Sequence, residues 1–187
     1  MDDTNAAGAL LRREDAALAI IDIQARLLPA IANNEALLAN VVRLIRFAKI
    51  MGLPVIASQQ IKLGPLVPEI IGEMPELEVT TKAEFDALKC DAFVERLEDL
   101  NRKALLVVGI ETHICVAQTV LHALPRHQVH VIADAVSSRS PDNWRVGIER
   151  MRQAGAVISS TEMAMYELME RAGTDEFRAV LEIGKAS

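Results

Sequence analysis

Aromatic residues are scarce in this sequence. Phe, Trp and Tyr together make up 3% of the 187 residues, although 51% of the residues are hydrophobic. The apolar positions are therefore mainly aliphatic, which is the composition of buried parallel strands and of the helices that cover them. A chain of this length can form one α/β domain with a sizeable core. We expect residues 1–187 to form a single domain, with a core over about 16–170 and a C-terminal helix over 175–183.

Positive charge, long apolar runs and cysteine are also limited. Acidic residues outnumber basic ones, 26 to 20, which disfavours nucleic acid as a partner. No apolar run reaches the roughly 20 residues that a membrane helix needs, and MDDTNAAGALLRRED lacks the features of a signal peptide. Cys90 and Cys115 provide no disulfide framework, so we expect two reduced thiols in a cytoplasmic protein.

Short aliphatic runs alternate with segments of helical periodicity along the chain. The predicted strands cover residues 17–23, 55–58, 78–81, 104–109, 129–133 and 156–159. The predicted helices cover residues 35–51, 91–100, 112–124, 141–154, 162–170 and 175–183, and residues 66–74 are irregular or briefly helical. This alternation predicts a six-stranded parallel sheet with helices on both faces, a three-layer α/β sandwich of Rossmann-like type. Ligands of such sheets bind outside the carboxyl ends of the strands.

Three reactive side chains lie at the predicted ends of different strands. Asp22 lies near the carboxyl end of the first strand, Lys82 follows the third, and Cys115 follows the fourth at the start of a helix. The helix N-terminus is expected to lower the pKa of the Cys115 thiol. Each residue alone also has an ordinary interpretation: a structural carboxylate, a surface lysine and a small buried side chain. Together they form a chemically consistent set of nucleophile, base and stabilising cation.

His113 is the nearest alternative base for Cys115. Residues two apart on a helix point in different directions, so we interpret His113 as an orienting or structural residue. A zinc site at His113 and Cys115 would lack the remaining ligands. Cys90 has no comparable set of strand-end partners, and we treat it as incidental or as an oxidation-prone thiol.

The motifs around these residues resemble the isochorismatase-like cysteine hydrolases, a superfamily that includes nicotinamidases and N-carbamoylsarcosine amidases. AIIDIQ contains Asp22, TTKAEF contains Lys82, VVGIETHICVAQTVLHAL contains Cys115, and VHVIADAVSSRS follows. The motifs occur in family order over roughly residues 16–168. GIETHICV, ADAVSSRS and ERMRQAGA most resemble the isochorismatase-domain-containing subgroup.

The resemblance implies a Cys-Asp-Lys triad of Cys115, Asp22 and Lys82, and a cis peptide at Ile110–Glu111. It further implies that the backbone N–H groups of Glu111 and Cys115 form an oxyanion hole. The expected reaction is hydrolysis of a small amide or related C–N bond through a thioester, in a homo-oligomeric enzyme.

The sequence differs from two groups of the superfamily at their functional positions, and these differences narrow the expected cofactors and substrates. Nicotinamidases bind a metal through an Asp and histidines after the second strand, where this chain reads ASQQIKLGPLVPEI without His, Asp or Cys. We therefore predict neither metal nor other cofactor. True isochorismatases lack the nucleophilic cysteine, so isochorismate is not the expected substrate.

Two further points stay open at this level. Gln24, Gln59 and Phe85 are candidates for binding the small-molecule substrate, and ordinary packing or surface positions explain them equally well. The alternative function is a catalytically silent module of hydrolase fold that binds a metabolite or protein and whose thiol is a redox target.

Overall fold

The computed structural model describes residues 10–185, and it contains the six-stranded α/β architecture that the sequence predicts. The strands are β1 (Ala16–Ile21), β2 (Val55–Gln60), β3 (Val79–Lys82), β4 (Ala104–Ile110), β5 (Gln128–Ser137) and β6 (Val157–Ser159). The helices are α1 (Asn34–Met51), α2 (Pro68–Glu73), α3 (Asp91–Asp99), α4 (Ala117–Ala123), α5 (Pro141–Gln153), α6 (Thr161–Met169) and α7 (Asp175–Lys185). The predicted fold class is confirmed. Residues 1–9, where the absence of a signal peptide was predicted, lie outside the described residues.

The sheet has the strand order β3-β2-β1-β4-β5-β6, and every neighbouring pair is parallel. Chain order reverses direction between β1 and β4, because β2 and β3 extend to one side of β1 whereas β5 and β6 extend beyond β4. In open α/β sheets, ligands bind at such a switch point, outside the carboxyl ends of the strands. Asp22 directly follows β1, so this rule directs attention to its surroundings.

Two apolar layers cover the sheet because side chains alternate between the faces of each strand. Leu18 and Ile20 of β1 pack in the layer that includes α1, α6 and α7. Ala19 and Ile21 of the same strand pack in the layer that includes α3, α4 and α5. Cys115 belongs to this second layer. Among residues 10–185, no helix is both long and apolar enough to cross a bilayer.

β5 is longer than the sequence predicted, since it continues beyond residue 133 to Ser137. Its pairing with β4 is irregular: Val131 is opposite Val107, but Val136 is opposite Gly109. β5 therefore contains extra residues between these pairs, as in a bulged strand. The irregular stretch includes the exposed Asp134, which interrupts the apolar run and explains why the prediction ended early.

The segment after β4 begins differently from the predicted helix. Residues Thr112–Val116 form a single π-helical turn, here called the π turn, and the regular helix α4 follows it. π turns are rare and occur mostly within helices at functional sites. Cys115 lies inside this turn.

Candidate active site

Asp22 occupies a constrained position at the end of β1. Its φ is 54°, in the left-handed region that Asp and Asn tolerate better than most residues. Its backbone N–H donates to the Ser58 carbonyl over 3.1 Å, and the Ser58 hydroxyl donates to Asp22 Oδ1 over 2.8 Å. The residue is 1% exposed. β2 thus holds both the backbone and the carboxylate of Asp22 in place.

Lys82, the last residue of β3, has a side chain that is fully withdrawn from solvent. Its ammonium donates to Asp22 Oδ2 over 2.6 Å, to Gln60 Oε1 over 2.8 Å and to the Glu84 carbonyl over 3.1 Å. An ammonium group has three N–H donors, so these three acceptors satisfy it completely. The alternative of an ordinary surface lysine is therefore wrong. A buried charge is tolerated only with such partners.

The Cys115 thiol is buried beside this ion pair, with 8% of the residue exposed. Burial raises the pKa of the thiol to about 12; the charge of Asp22 and its hydrogen bond to the thiol also raise it, whereas the charge of Lys82 lowers it. The predicted lowering of the pKa by the helix N-terminus is wrong. Desolvation favours the neutral form and outweighs the effect of the helix end. The resting group is a thiol beside a carboxylate.

Two glycines allow the close approach of the segments that carry these residues. Gly109 of β4 has a φ of 140°, and a Cβ atom there would lie 2.2 Å from the Ile21 carbonyl oxygen. Any side chain at this position would separate β4 from the end of β1. Gly147 of α5 lies against the π turn, where a Cβ atom would be 3.1 Å from the Cα of His113. α5 therefore supports the π turn at van der Waals distance.

The Ile110–Glu111 peptide, just ahead of the π turn, is cis. The Glu111 side chain is 4% exposed and pairs with Arg139, whose Nε donates to Oε1 over 3.0 Å and whose backbone N–H donates to Oε2 over 2.9 Å. Burial favours a raised pKa for Glu111, but the hydrogen bonds and charge of Arg139 outweigh it, so the pKa is lowered. The Glu111 carbonyl accepts N–H groups from Ile114 and Val116. The backbone ahead of Cys115 is thereby held on both sides.

The His113 side chain contacts the residue that follows β5. Its Nδ1 lies 3.0 Å from the Ser138 hydroxyl at the end of β5. This contact ties the π turn to β5 and fits the predicted orienting role. Cys90 lies at the start of α3 and is half-buried against the second apolar layer.

The candidate substrate-binding residues have different positions. The Gln24 side chain is buried, and its amide is engaged in both directions with the backbone of Gln60, over 2.9 and 2.8 Å. Gln24 therefore joins the segment after β1 to the end of β2 rather than facing a ligand. Gln59 points to the opposite face of the sheet from Lys82 and donates to the Thr81 hydroxyl over 2.9 Å. Phe85 is 56% exposed. Its role in substrate binding stays a prediction.

Sequence reasoning missed Ser58 and Gln60, the two β2 residues that contact Asp22 and Lys82. Gln60 also donates through Nε2 to the Ala83 carbonyl over 2.7 Å. The alternation of the strand could have identified them, because Ile56, Ser58 and Gln60 share one face. The predicted strand stopped at residue 58, so its final alternating position was not considered.

The remaining potential sites lie apart from this group. Two cavities of about 480 and 370 Å³ are lined by neither Asp22, Lys82 nor Cys115. Within residues 10–185, no three His, Cys, Asp or Glu side chains are grouped to hold a metal ion. The arrangement at the switch point places a carboxylate that can accept and return a proton beside the Cys115 thiol.

Comparison with known proteins identifies the family. The isochorismatase domain model matches residues 16–163. The secreted isochorismatase effector Isc1 of Phytophthora sojae is 40% identical over 147 residues, which is 74% of this chain and 69% of that protein. Isochorismatase domain-containing protein 2A of Mus musculus is 32% identical over 176 residues, covering 92% of this chain and 84% of that protein.

Solved structures show the same architecture. YcaC from Escherichia coli, described as an octameric hydrolase of unknown specificity, superposes with a TM-score of 0.89 at 27% identity, over 94% of this chain and 89% of that chain. YcaC from Pseudomonas aeruginosa, described with hexane-2,5-diol and covalent acrylamide, has a TM-score of 0.88 at 28% identity, over 94% and 92% of the two chains. The chain therefore belongs to the isochorismatase domain family.

Proposed function

We propose that this protein is a metal-independent cysteine hydrolase that cleaves a small amide or related C–N bond. Cys115 is the nucleophile, Asp22 the general base and acid, and Lys82 the cation that stabilises the charged group. The observation that carries the proposal is the burial of the Cys115 thiol beside a carboxylate that is itself paired with a buried ammonium. A buried ion pair is weak evidence for a role in stability, and this one lies at the switch point where ligands of open α/β sheets bind.

The raised pKa of Cys115 determines how the first step proceeds. At neutral pH the group is a thiol, because its pKa is about 12. Its proton must therefore leave during attack, and Asp22 is the neighbouring acceptor. As the Sγ–C bond forms at the substrate carbonyl carbon, the thiol proton moves to the Asp22 carboxylate. The electron pair of the carbonyl moves to oxygen and produces a tetrahedral oxyanion.

Backbone N–H groups at and ahead of the thiol supply the hydrogen-bond donors for that oxyanion. We assign the N–H groups of Glu111 and Cys115 to the oxyanion hole. The hydrogen bonds from Arg139 and from the π turn to Glu111 keep this backbone fixed. Preorganised donors of this kind require no rearrangement when the charge develops.

The cycle closes through Asp22. The protonated carboxyl gives its proton to the leaving nitrogen as the C–N bond breaks, and a thioester on Cys115 remains. A water molecule then attacks the thioester carbonyl while Asp22 accepts one of its protons. The Cys115 sulfur leaves and regains that proton, and the acid product departs. Lys82 stays bound to Asp22 throughout, so the pair is neutral in total charge while Asp22 is ionised and carries one positive charge while Asp22 holds the proton.

Related proteins support the nucleophile and the class of reaction. The P. aeruginosa YcaC structure contains covalent acrylamide, and the E. coli protein is described as a hydrolase. We propose that acrylamide, which alkylates thiols, also modifies Cys115.

The E. coli protein is also described as octameric. We propose a homo-oligomer for this chain too, with the exposed Phe85 and Ile61 near the site as contact residues. Light scattering measures the assembly. The two free cysteines fit the reducing cytoplasm.

The test is ammonia release from a panel of small amides, carbamoyl compounds and ureides. We expect Cys115→Ala and Asp22→Asn to abolish turnover of any substrate that the wild-type protein hydrolyses, and Lys82→Ala to do the same. Cys90→Ala is the matched control and retains activity. Mass spectrometry of substrate-treated protein should detect an acyl group on Cys115 in the wild type.

The result that would overturn the proposal is equally specific. Turnover that persists in Cys115→Ala would exclude the nucleophile. A protein that hydrolyses nothing in the panel, but whose Cys115 is selectively and reversibly oxidised by peroxide, would instead be the redox-responsive module.

A further inference from the structure

The cavity of about 370 Å³ lies at the carboxyl end of β5, between the first turns of α1 and α5. Its volume is within the usual range of small-molecule sites, about 300–1,000 Å³. Leu37 and Val136 contribute apolar wall, and Asn40 and Ser137 contribute polar groups. This composition, mainly apolar with few polar groups, is typical of sites for small ligands.

Few charged or aromatic residues line this cavity. Among residues 10–185, Asp134 is the one charged residue of the lining and Trp144 the one aromatic residue. In the part of the chain that the structure describes, no Lys, Arg or His lines the cavity. Two basic residues that are close in sequence to the lining are paired with carboxylates, Arg139 with Glu111 and Arg145 with Asp142, each over 3.0 Å. The charged side chain that lines the cavity is therefore an anion.

Hydrogen bonds hold the Asp134 carboxylate in place through one of its two oxygens. Its Oδ1 accepts the Thr161 backbone N–H over 2.8 Å and the Thr161 hydroxyl over 3.0 Å. Among the described residues, Oδ2 has no hydrogen-bond or ion-pair partner. The irregular pairing of β5 with β4 brings this residue out of the sheet, where it remains exposed. One carboxylate oxygen is thus held in position and available.

We propose that this cavity binds a small organic ammonium cation, at a site separate from Asp22, Lys82 and Cys115. The ammonium group pairs with Asp134 and contacts the face of the Trp144 ring, which attracts cations through its quadrupole. The apolar substituents of the cation pack against Leu37 and Val136. An anion is disfavoured because nothing in the lining compensates its charge.

The sequence contains one tryptophan, so intrinsic tryptophan fluorescence reports on this cavity alone. The probe is choline, and its comparison is 3,3-dimethylbutan-1-ol, which has the same shape without the charge. We expect choline to saturate the fluorescence change and to bind about tenfold or more tightly than the alcohol, given the strength of cation–π and ion-pair contacts. Calorimetry on Cys115→Ala should give the wild-type affinity, which separates this site from the proposed hydrolase site.

Asp134→Asn is the decisive variant, since its amide oxygen can still accept from Thr161. We expect it to weaken choline binding about tenfold while leaving the alcohol unchanged. Glu149→Gln is the matched control, because Glu149 is an acidic residue of α5 that does not line the cavity and pairs with Arg152. Trp144→Leu, followed by calorimetry, tests the ring and serves also if Asp134→Asn fails to fold. Equal binding of choline and the alcohol, no saturable binding of either, or unchanged choline affinity in the foldable variants would overturn the proposal.

Discussion

The Nζ atom of Lys82 lies 2.6 Å from Oδ2 of Asp22, and both side chains are almost completely excluded from water. The two residues are 60 positions apart in the chain and meet only because β3 and β1 end at the same edge of the sheet. Removing one partner of such a pair leaves an uncompensated buried charge. This relationship makes the pair a structural as well as a proposed catalytic unit.

Lys82→Met should therefore lower the free energy of unfolding by about 3–5 kcal/mol, because Asp22 is left as a buried charge without its partner. Adding Asp22→Asn to Lys82→Met removes that charge and should recover part of the loss. Urea denaturation of the two single variants and the double variant measures the coupling. Additive losses would contradict the interpretation.

The pKa of Cys115 predicts a loss of stability at alkaline pH. In the unfolded chain the thiol ionises near its ordinary value of 9.0, whereas in the folded protein it stays protonated until about pH 12. Between these values the unfolded state binds fewer protons, so stability falls as pH rises, by at most about 1.4 kcal/mol per pH unit. Denaturation across this range should show a shallower decline in Cys115→Ala than in the wild type. Cys90→Ala provides the control and should keep the wild-type slope.

Gly109→Ala should be among the most damaging single-methyl substitutions. The added Cβ would lie 2.2 Å from the Ile21 carbonyl oxygen, and the φ of 140° is strained for any L side chain. The matched substitution is Gly72→Ala in α2, where nothing lies within 4 Å of the added Cβ. A helical Gly→Ala change of this type is stabilising by roughly 0.5–1 kcal/mol. Thermal denaturation should move in opposite directions for the two variants, and a shift in the same direction would contradict the close-approach argument.

His113→Asn should reduce activity far less than loss of a general base, which costs roughly 100-fold or more. His113 contacts Ser138 and orients the π turn, so we expect a modest fall in kcat and an unchanged shape of the pH–rate profile. Steady-state kinetics across pH separates the two roles. A loss equal to that of Asp22→Asn, or disappearance of a limb of the profile, would make His113 the base.

Much of the fold was predictable because its signals are local. The aliphatic runs of β1 and β4 are buried throughout, and both strands were found within one or two residues of their observed ends. The positions of Asp22, Lys82 and Cys115 followed from one rule, that the carboxyl ends of parallel strands share an edge. The resemblance to a known family added the cis peptide at Ile110–Glu111, which no local pattern indicates.

The features that were missed depend on contacts between distant segments. The pKa of Cys115 is governed by burial, and burial results from packing that the local sequence does not reveal. The choice between Gln59 and Gln60 depends on which face of β2 meets Lys82. β5 was shortened because Asp134 looks like the end of a strand, whereas it lies in a bulged stretch within one.

The strand order places the proposed catalytic group where no single segment of the chain can form it. β1 contributes Asp22, β3 contributes Lys82, and the turn after β4 contributes Cys115, so two separate crossover connections must be complete before the three side chains meet. No partly folded state that lacks either half of the sheet can bring the thiol and the carboxylate together. During synthesis the chain consequently stays without its reactive centre until β4 has joined the sheet. Recovery of the proposed hydrolytic activity after denaturation would then follow closure of the β1–β4 pairing rather than formation of any one helix or strand.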